Sequence, residues 1–267
     1  STQAKTLFPY TTLFRSVIVG KAKPAAWRLL AASICLFAVS RVVWADSLDE
    51  QRQRYTQIKQ AWDHRQMDVV QQLLPTLQDY PLYPYLVYRE LTDDLQNEPA
   101  LAVTQFVQTY PTMPVARALT TRFINELANR GDWRGLLAFS QKEPANTEAR
   151  CNYYNAMWNT GQTDAAWQGA RKIWMTGQTL PMACENLFSA WRTAGQQAPM
   201  DYLSRILLAM KAGNTALVTS LASAMPGDYQ TISSAIIGLA NDPQTVLTFA
   251  RSVGATDFTR QMVEYAF

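Results

Sequence analysis

Histidine is almost missing from this chain: His64 is the only one. A Ser-His-Asp or Cys-His arrangement would depend on that single residue, which lies between Asp63 and Arg65 in a polar turn and is expected to be solvated. Cysteine is scarce as well, at three. One imidazole and so few thiols leave too few ligands for a zinc centre, and no metal or cofactor is expected. A phosphate-cradling glycine loop is absent too. The nearest approach, Lys211-Ala212-Gly213-Asn214-Thr215, lacks both the spacing and a preceding strand. No stretch alternates apolar and polar residues with period two, which argues against a sheet.

Charged residues are few, at 17% of the chain, yet too many for an integral membrane protein. The formal charge of +3 is misleading, because Lys5, Arg15, Lys21, Lys23, Arg28 and Arg41 are the only charges before Asp46 and all are basic. Without them the remaining body sits near −3. It carries no basic stripe to neutralise phosphates, so nucleic acid is not an expected partner.

Lys21, Lys23 and Arg28 precede the apolar run Leu29–Val39, and Val43-Trp44-Ala45 offers small-residue positions before Asp46. This is the grammar of a cleavable secretory signal. The run is about half of what a bilayer-spanning helix needs, so no stable membrane insertion is expected. Cys35 follows bulky Ile34, which disfavours lipidation. The expected organisation is a foreign or artefactual leader at 1–20, a signal peptide at 21–45 and a helical domain at 46–267, which ends as though a longer protein continued. After signal removal only Cys151 and Cys184 remain, 33 positions apart. In an exported chain they are expected to form a disulfide; two buried free thiols are the alternative.

What the sequence does contain is a two-helix unit with a short polar turn, recurring about every 30 residues. The turns read Arg65-Gln66-Met67-Asp68, Gln96-Asn97-Glu98-Pro99, Arg130-Gly131-Asp132, Thr160-Gly161-Gln162-Thr163, Ala194-Gly195-Gln196, Ala212-Gly213-Asn214-Thr215 and Asn241-Asp242-Pro243. Gly131, Gly161, Gly195 and Gly213 can each take the left-handed conformation that closes a helix. The fold class predicted is all-α, a right-handed superhelix or solenoid of stacked, tetratricopeptide-like α-hairpins sharing one elongated core, with no sheet. Ser47-Leu48-Asp49-Glu50 is a capping box that starts the first helix. Pro75 ends or bends the second. Pro81 and Pro84 set an extended elbow over Asp79–Tyr85, after which helix resumes at Tyr85. Pro99 suits the first turn of a further helix, and Pro111 with Pro114 closes it.

Glu90 and Asp93-Asp94 resemble the paired carboxylates of glycoside cleavage, but they fall on the polar face of a predicted helix. Aromatic residues could stack on sugar rings, although Trp133, Trp158, Trp167, Trp174 and Trp191 sit at helical spacing and read as packing. Tyr80, Tyr83 and Tyr85 in the elbow are the best candidates for glycan contact.

Ala45–Arg52, Asp79–Leu86, Asp132–Ser140 and Gly254–Met262 closely resemble the enterobacterial soluble lytic murein transglycosylases, and the resemblance runs from Lys21 to Phe267. It implies a periplasmic enzyme that cleaves the MurNAc to GlcNAc bond without water, leaving 1,6-anhydromuramic ends. It also implies a ring-shaped superhelix of α-hairpins bearing a lysozyme-like domain at its C-terminal end, and a disulfide at the positions of Cys151 and Cys184. The family's catalytic motifs, Glu-Ser, Gly-Leu-Met-Gln and Ala-Tyr-Asn-Ala-Gly, do not occur here, so no catalytic residue is carried over. The resemblance thus implies a non-catalytic scaffold whose partners are its own C-terminal catalytic domain and, through the full-length enzyme, peptidoglycan strands. A periplasmic tetratricopeptide-like module that binds other proteins is the alternative.

Overall fold

A computed structural model describes residues 47–267, in which every regular element is helical and no strand occurs. The expected leader, signal peptide and Cys35 lie outside the described residues. By internal contact the chain divides after Gln53. The described part of the first unit is the capped start of helix α1 (Leu48–Asp63). There the Glu50 amide donates to Ser47 Oγ (3.2 Å) and the Ser47 amide to Glu50 Oε2 (3.1 Å), the reciprocal pairing expected of a capping box.

The second unit, Arg54–Phe267, continues α1 and adds α2 (Met67–Leu73), α3 (Tyr83–Asp93), α4 (Ala100–Thr109), α5 (Pro114–Asn129), α6 (Trp133–Phe139) and α7 (Thr147–Asn159). Then come α8 (Thr163–Trp174), α9 (Ala183–Thr193), α10 (Pro199–Lys211), α11 (Thr215–Ser223), α12 (Gln230–Asn241), α13 (Val246–Val253) and α14 (Asp257–Ala266). Pro75, Pro99 and Pro114 take places where a missing N–H costs little. Pro75 lies in a short 3₁₀ turn, Leu74–Leu77, after α2. Pro99 is the N-cap of α4, one residue before the expected place. Pro114 opens α5 instead of closing α4, because the first helical position has no intrahelical N–H bond to lose.

From α3 to α10 the packing follows the solenoid rule. From α4 to α9 consecutive helices pack together, and α3 meets α5, α4 meets α6, α5 meets α7, α7 meets α9 and α8 meets α10, two places on. The rule breaks at the C-terminal end, where α14 packs against α10 as well as α13. Lys211 of α10 sits over the Tyr265 ring of α14 at 5.8 Å. The core is also not one continuous body. It forms three clusters: Ile58–Leu86, Leu91–Ala156 and Cys151–Met262. The last two meet through Tyr154 and Met157, which pack against both. A hairpin buries its apolar face against its nearest neighbours, and where a loop intervenes the apolar surface is interrupted.

The tight reversals share one hydrogen-bond pattern. At Gly161 the glycine amide donates to Trp158 O (3.1 Å) and the Gln162 amide to Met157 O (2.8 Å), which satisfies two carbonyls that the helix end leaves unpaired. Gly161 has φ +85°. A Cβ there would meet nothing within 4 Å, so the requirement for glycine is purely one of backbone conformation. The Arg65 turn, at φ 58°, has the same pair of bonds, with the Arg65 amide donating to Trp62 O and the Gln66 amide to Ala61 O. Gly161→Val is expected to lower unfolding free energy by about 1–3 kcal/mol, and Arg65→Gly to raise it by a smaller amount. Thermal melts of the two variants check this; an unchanged Gly161→Val melt would mean that the turn is not left-handed.

Candidate functional site

The prolines of the 79–85 segment do not hold it extended. The Tyr80 amide donates to Leu77 O and the Tyr83 amide to Tyr80 O, both at 2.9 Å, so the chain turns, and α3 begins at Tyr83 with Pro84 in its first turn. Helix initiation tolerates proline there, which outweighs the preference of the preceding residue for extended backbone. The three tyrosines differ in burial. Tyr80 is buried at 7% exposure, with its ring centroid 5.5 Å from that of Tyr55. Tyr83 is half-buried, and burial raises its hydroxyl pKa, helped by Tyr110 and Glu90. Tyr85, at 38% exposure, presents its ring to solvent. They do not form one platform.

Most tryptophans are committed to packing. Trp174 and Trp191 are buried in the Cys151–Met262 cluster, and Trp174 donates through Nε1 to Asp201 O at 2.9 Å. Trp158 differs. It is half-buried, stacks at 4.7 Å on Trp167, and lines an open concavity of about 560 Å³ together with Asn186, Ser189 and Thr193. An aromatic face beside amide and hydroxyl groups is suited to a sugar ring. Helical spacing had marked Trp158 only as core, because periodicity does not distinguish the centre of a buried stripe from its edge.

The residues weighed for chemistry do not assemble. His64 is exposed, and its Nδ1 lies 2.7 Å from Gln60 O, where the protonated nitrogen caps the end of α1. Asp93 and Asp94 line a shallow polar concavity with Arg122 and Glu126, and Asp94 accepts from Asn97 Nδ2 at 2.9 Å. Glu90 does not line that concavity. Its carboxyl is shifted up by partial burial and by the like charges of Glu98 and Asp93, but the residue as a whole is exposed and screened by water. Among the described residues no group of three His, Cys, Asp or Glu side chains could hold a metal ion. No helix there is long and apolar enough to cross a membrane.

A better-developed electrostatic cluster centres on Glu143, in the loop between α6 and α7. Its carboxylate accepts from Lys172 Nζ of α8 at 3.0 Å and lies 3.7 Å from Arg150 of α7. The Lys172 hydrogen bond holds the carboxyl below its ordinary 4.5, against the opposing effect of burial, with help from Tyr154 and Arg150. Burial, and then the Glu143 charge, push the Tyr154 hydroxyl up to about 12. The Tyr154 ring in turn fills the space where a Gly169 Cβ would come within 2.2 Å of it. A carboxyl whose pKa is lowered by folding stabilises the fold above its unfolded value and loses that contribution as pH falls through the folded value. Glu143→Gln is therefore expected to cost about 1 kcal/mol at pH 7, with the difference vanishing below about pH 3. Urea unfolding of both proteins at the two pH values checks this; a pH-independent difference would show that packing, not charge, is responsible.

A further concavity, of about 590 Å³, lies between α9, α10 and α11 beneath the 175–182 loop. Trp174, Phe188, Leu217 and Leu221 form apolar walls, and Glu185, Arg192 and Arg205 supply charge. Arg192 pairs with Glu185. Arg205 is 4% exposed; burial lowers its pKa to about 10. Close by, Cys151 of α7 and Cys184 of α9 are joined by a disulfide, with Cα atoms 4.8 Å apart and both side chains buried.

Stacked α-hairpins, pinned across alternate helices by a disulfide, define a helical-repeat fold. No family model matches the chain. Its sequence is 67% identical over 247 residues to the soluble lytic murein transglycosylase of Escherichia coli K12, and 66% identical over the same length to that of Salmonella typhimurium LT2. Each match covers 92% of this chain and 38% of the relative. The crystal structure of the 70 kDa soluble lytic transglycosylase from Escherichia coli superposes with a TM-score of 0.78 at 68% identity, covering 83% of this chain and 36% of that one. An inactive mutant of the lytic transglycosylase Slt from Pseudomonas aeruginosa gives 0.69 at 27% identity, over 80% and 34%. Over nearly its whole length the chain is thus similar to soluble lytic murein transglycosylases, and it spans about two fifths of the length of the curated relatives it matches.

Proposed function

We propose that this chain is the helical scaffold of a periplasmic lytic transglycosylase, a wall that shapes the enzyme and guides glycan strands without itself breaking them. In this reading the parent enzyme cleaves the MurNAc to GlcNAc bond to 1,6-anhydromuramic products, the lysozyme-like catalytic domain follows the present segment, and residues 21–45 direct export. The observation that carries it is the use of the acidic side chains. Glu143 and Asp201 are held in ion pairs, and Glu90, Asp93 and Asp94 lie on a solvated face. Neither setting keeps a carboxylic acid protonated inside an apolar cleft, which glycosidic cleavage requires. Tyr85 and the Trp158 concavity are the surfaces on which a sugar ring would rest. Purified murein sacculi incubated with this chain are expected to retain it on sedimentation and to release no anhydro-muropeptides. Release would overturn the non-catalytic reading; failure to co-sediment, with capture of a periplasmic protein instead, would favour a protein-binding module.

A further inference from the structure

Asp201 and Arg205 are the buried charges among the described residues, and they differ in their partners. Asp201 has Arg171 at 3.1 Å, but no carboxylate among the described residues lies in ion-pair contact with Arg205. Its Nε and one terminal nitrogen donate to Thr176 O and Gln178 O, both at 3.3 Å, and its guanidinium lies over the Trp174 ring at 4.2 Å. Carbonyl dipoles and an aromatic face orient a cation without neutralising it. The only acid lining the same concavity, Glu185, is paired with Arg192, which Tyr202 also contacts, and it acts on Arg205 only through space, with an effect smaller than that of burial. A desolvated guanidinium left with net charge is costly in a purely structural role, and removing water around it strengthens its attraction for an anion.

We infer that this concavity is a binding site for the free C-terminal carboxylate of a short peptide, with Arg205 as its anchor. Guanidinium matches the planar two-oxygen geometry of a carboxylate better than any other side chain does. Leu180, Phe188, Leu217 and Leu221 offer apolar walls to a small terminal side chain, and a volume of about 590 Å³ admits two or three residues. The site is separate from the surfaces proposed for glycan. Soluble peptides that carry no glycan therefore test it apart from the binding of sacculi.

The test uses the full chain and four probes at low ionic strength: N-acetyl-D-alanyl-D-alanine, its L,L isomer, and the C-terminal amide of each, followed by calorimetry. At least one carboxylate is expected to bind ten-fold or more tightly than its amide. Preference for the D,D form would point to a cell-wall peptide as the source, and preference for the L,L form to a protein C-terminus. Arg205→Gln should abolish the difference, but it also removes the bonds to Thr176 and Gln178 and can disturb the loop. Ser220→Glu avoids that problem, because Ser220 is exposed on α11 and lines the same concavity. It should weaken carboxylate binding at least ten-fold with an unchanged melting temperature, whereas Ser220→Gln should not. Equal binding of carboxylate and amide, no binding of either, or an unaffected Ser220→Glu variant would overturn the inference.

Discussion

Trp191→Ala is expected to lower the unfolding free energy of the Arg54–Phe267 unit by about 3–5 kcal/mol, the largest effect of any single substitution considered. Trp191 is 0% exposed and sits where α8, α9 and α10 meet. Its ring lies edge-on to Trp174 at 6.1 Å, and the Arg171 guanidinium covers it at 5.6 Å. Alanine would remove most of the indole area from the core and leave a cavity that rigid helices cannot close. The loss would spread, because Trp174 holds the Asp201 carbonyl and Asp201 accepts from both Arg171 and the Ala198 amide at the start of α10. Trp158→Ala is the control, since a half-buried ring should cost clearly less. Urea midpoints for the two variants check this; a Trp191→Ala loss under about 1 kcal/mol would mean that the helices repack around the gap.

Replacing Cys151 and Cys184 together by alanine is expected to cost about 3–4 kcal/mol. The bridge closes a loop of 33 residues, and a chain free of that closure gains conformational entropy when it unfolds. The connected helices, α7 and α9, are already neighbours in the stack, so the bond fixes a contact that packing alone also favours. Alanine rather than serine is the appropriate replacement, because both sulfurs are buried and a hydroxyl there would need a hydrogen-bond partner. The same loss should follow reduction, slowly, since the sulfurs are shielded from solvent-borne thiols. Equal stability of the oxidised and doubly substituted proteins would show that the unfolded chain is constrained by something other than the bridge.

Much of the helical order is legible in the residues. Glycine before a polar residue at the end of an apolar-periodic stretch marked the reversals at Gly131, Gly161, Gly195 and Gly213, and all four adopt positive φ. Ser47 and Glu50 carry a capping signal that acts within four residues. Elsewhere local rules compete. Pro84 disfavours helix in the residue before it, yet Tyr83 starts α3, because a first-turn proline is more favourable than an extended elbow. Arg65 closes a turn in a glycine-like conformation with no glycine to announce it. Trp158 and Trp191 look alike as members of helical stripes, and only packing separates the half-buried ring from the buried one.

By itself the sequence determined that the chain is helical and where most hairpins reverse, because periodicity, capping and turn chemistry act over a few residues. The tertiary structure alone decided that Tyr80, Tyr83 and Tyr85 differ in burial, that the core divides into three clusters, that α14 returns to α10, and that Arg205 is buried without an ion-pair partner among the described residues. Those outcomes depend on which surfaces meet across thirty or more residues. No local pattern records that, since burial and charge pairing are properties of neighbours in space.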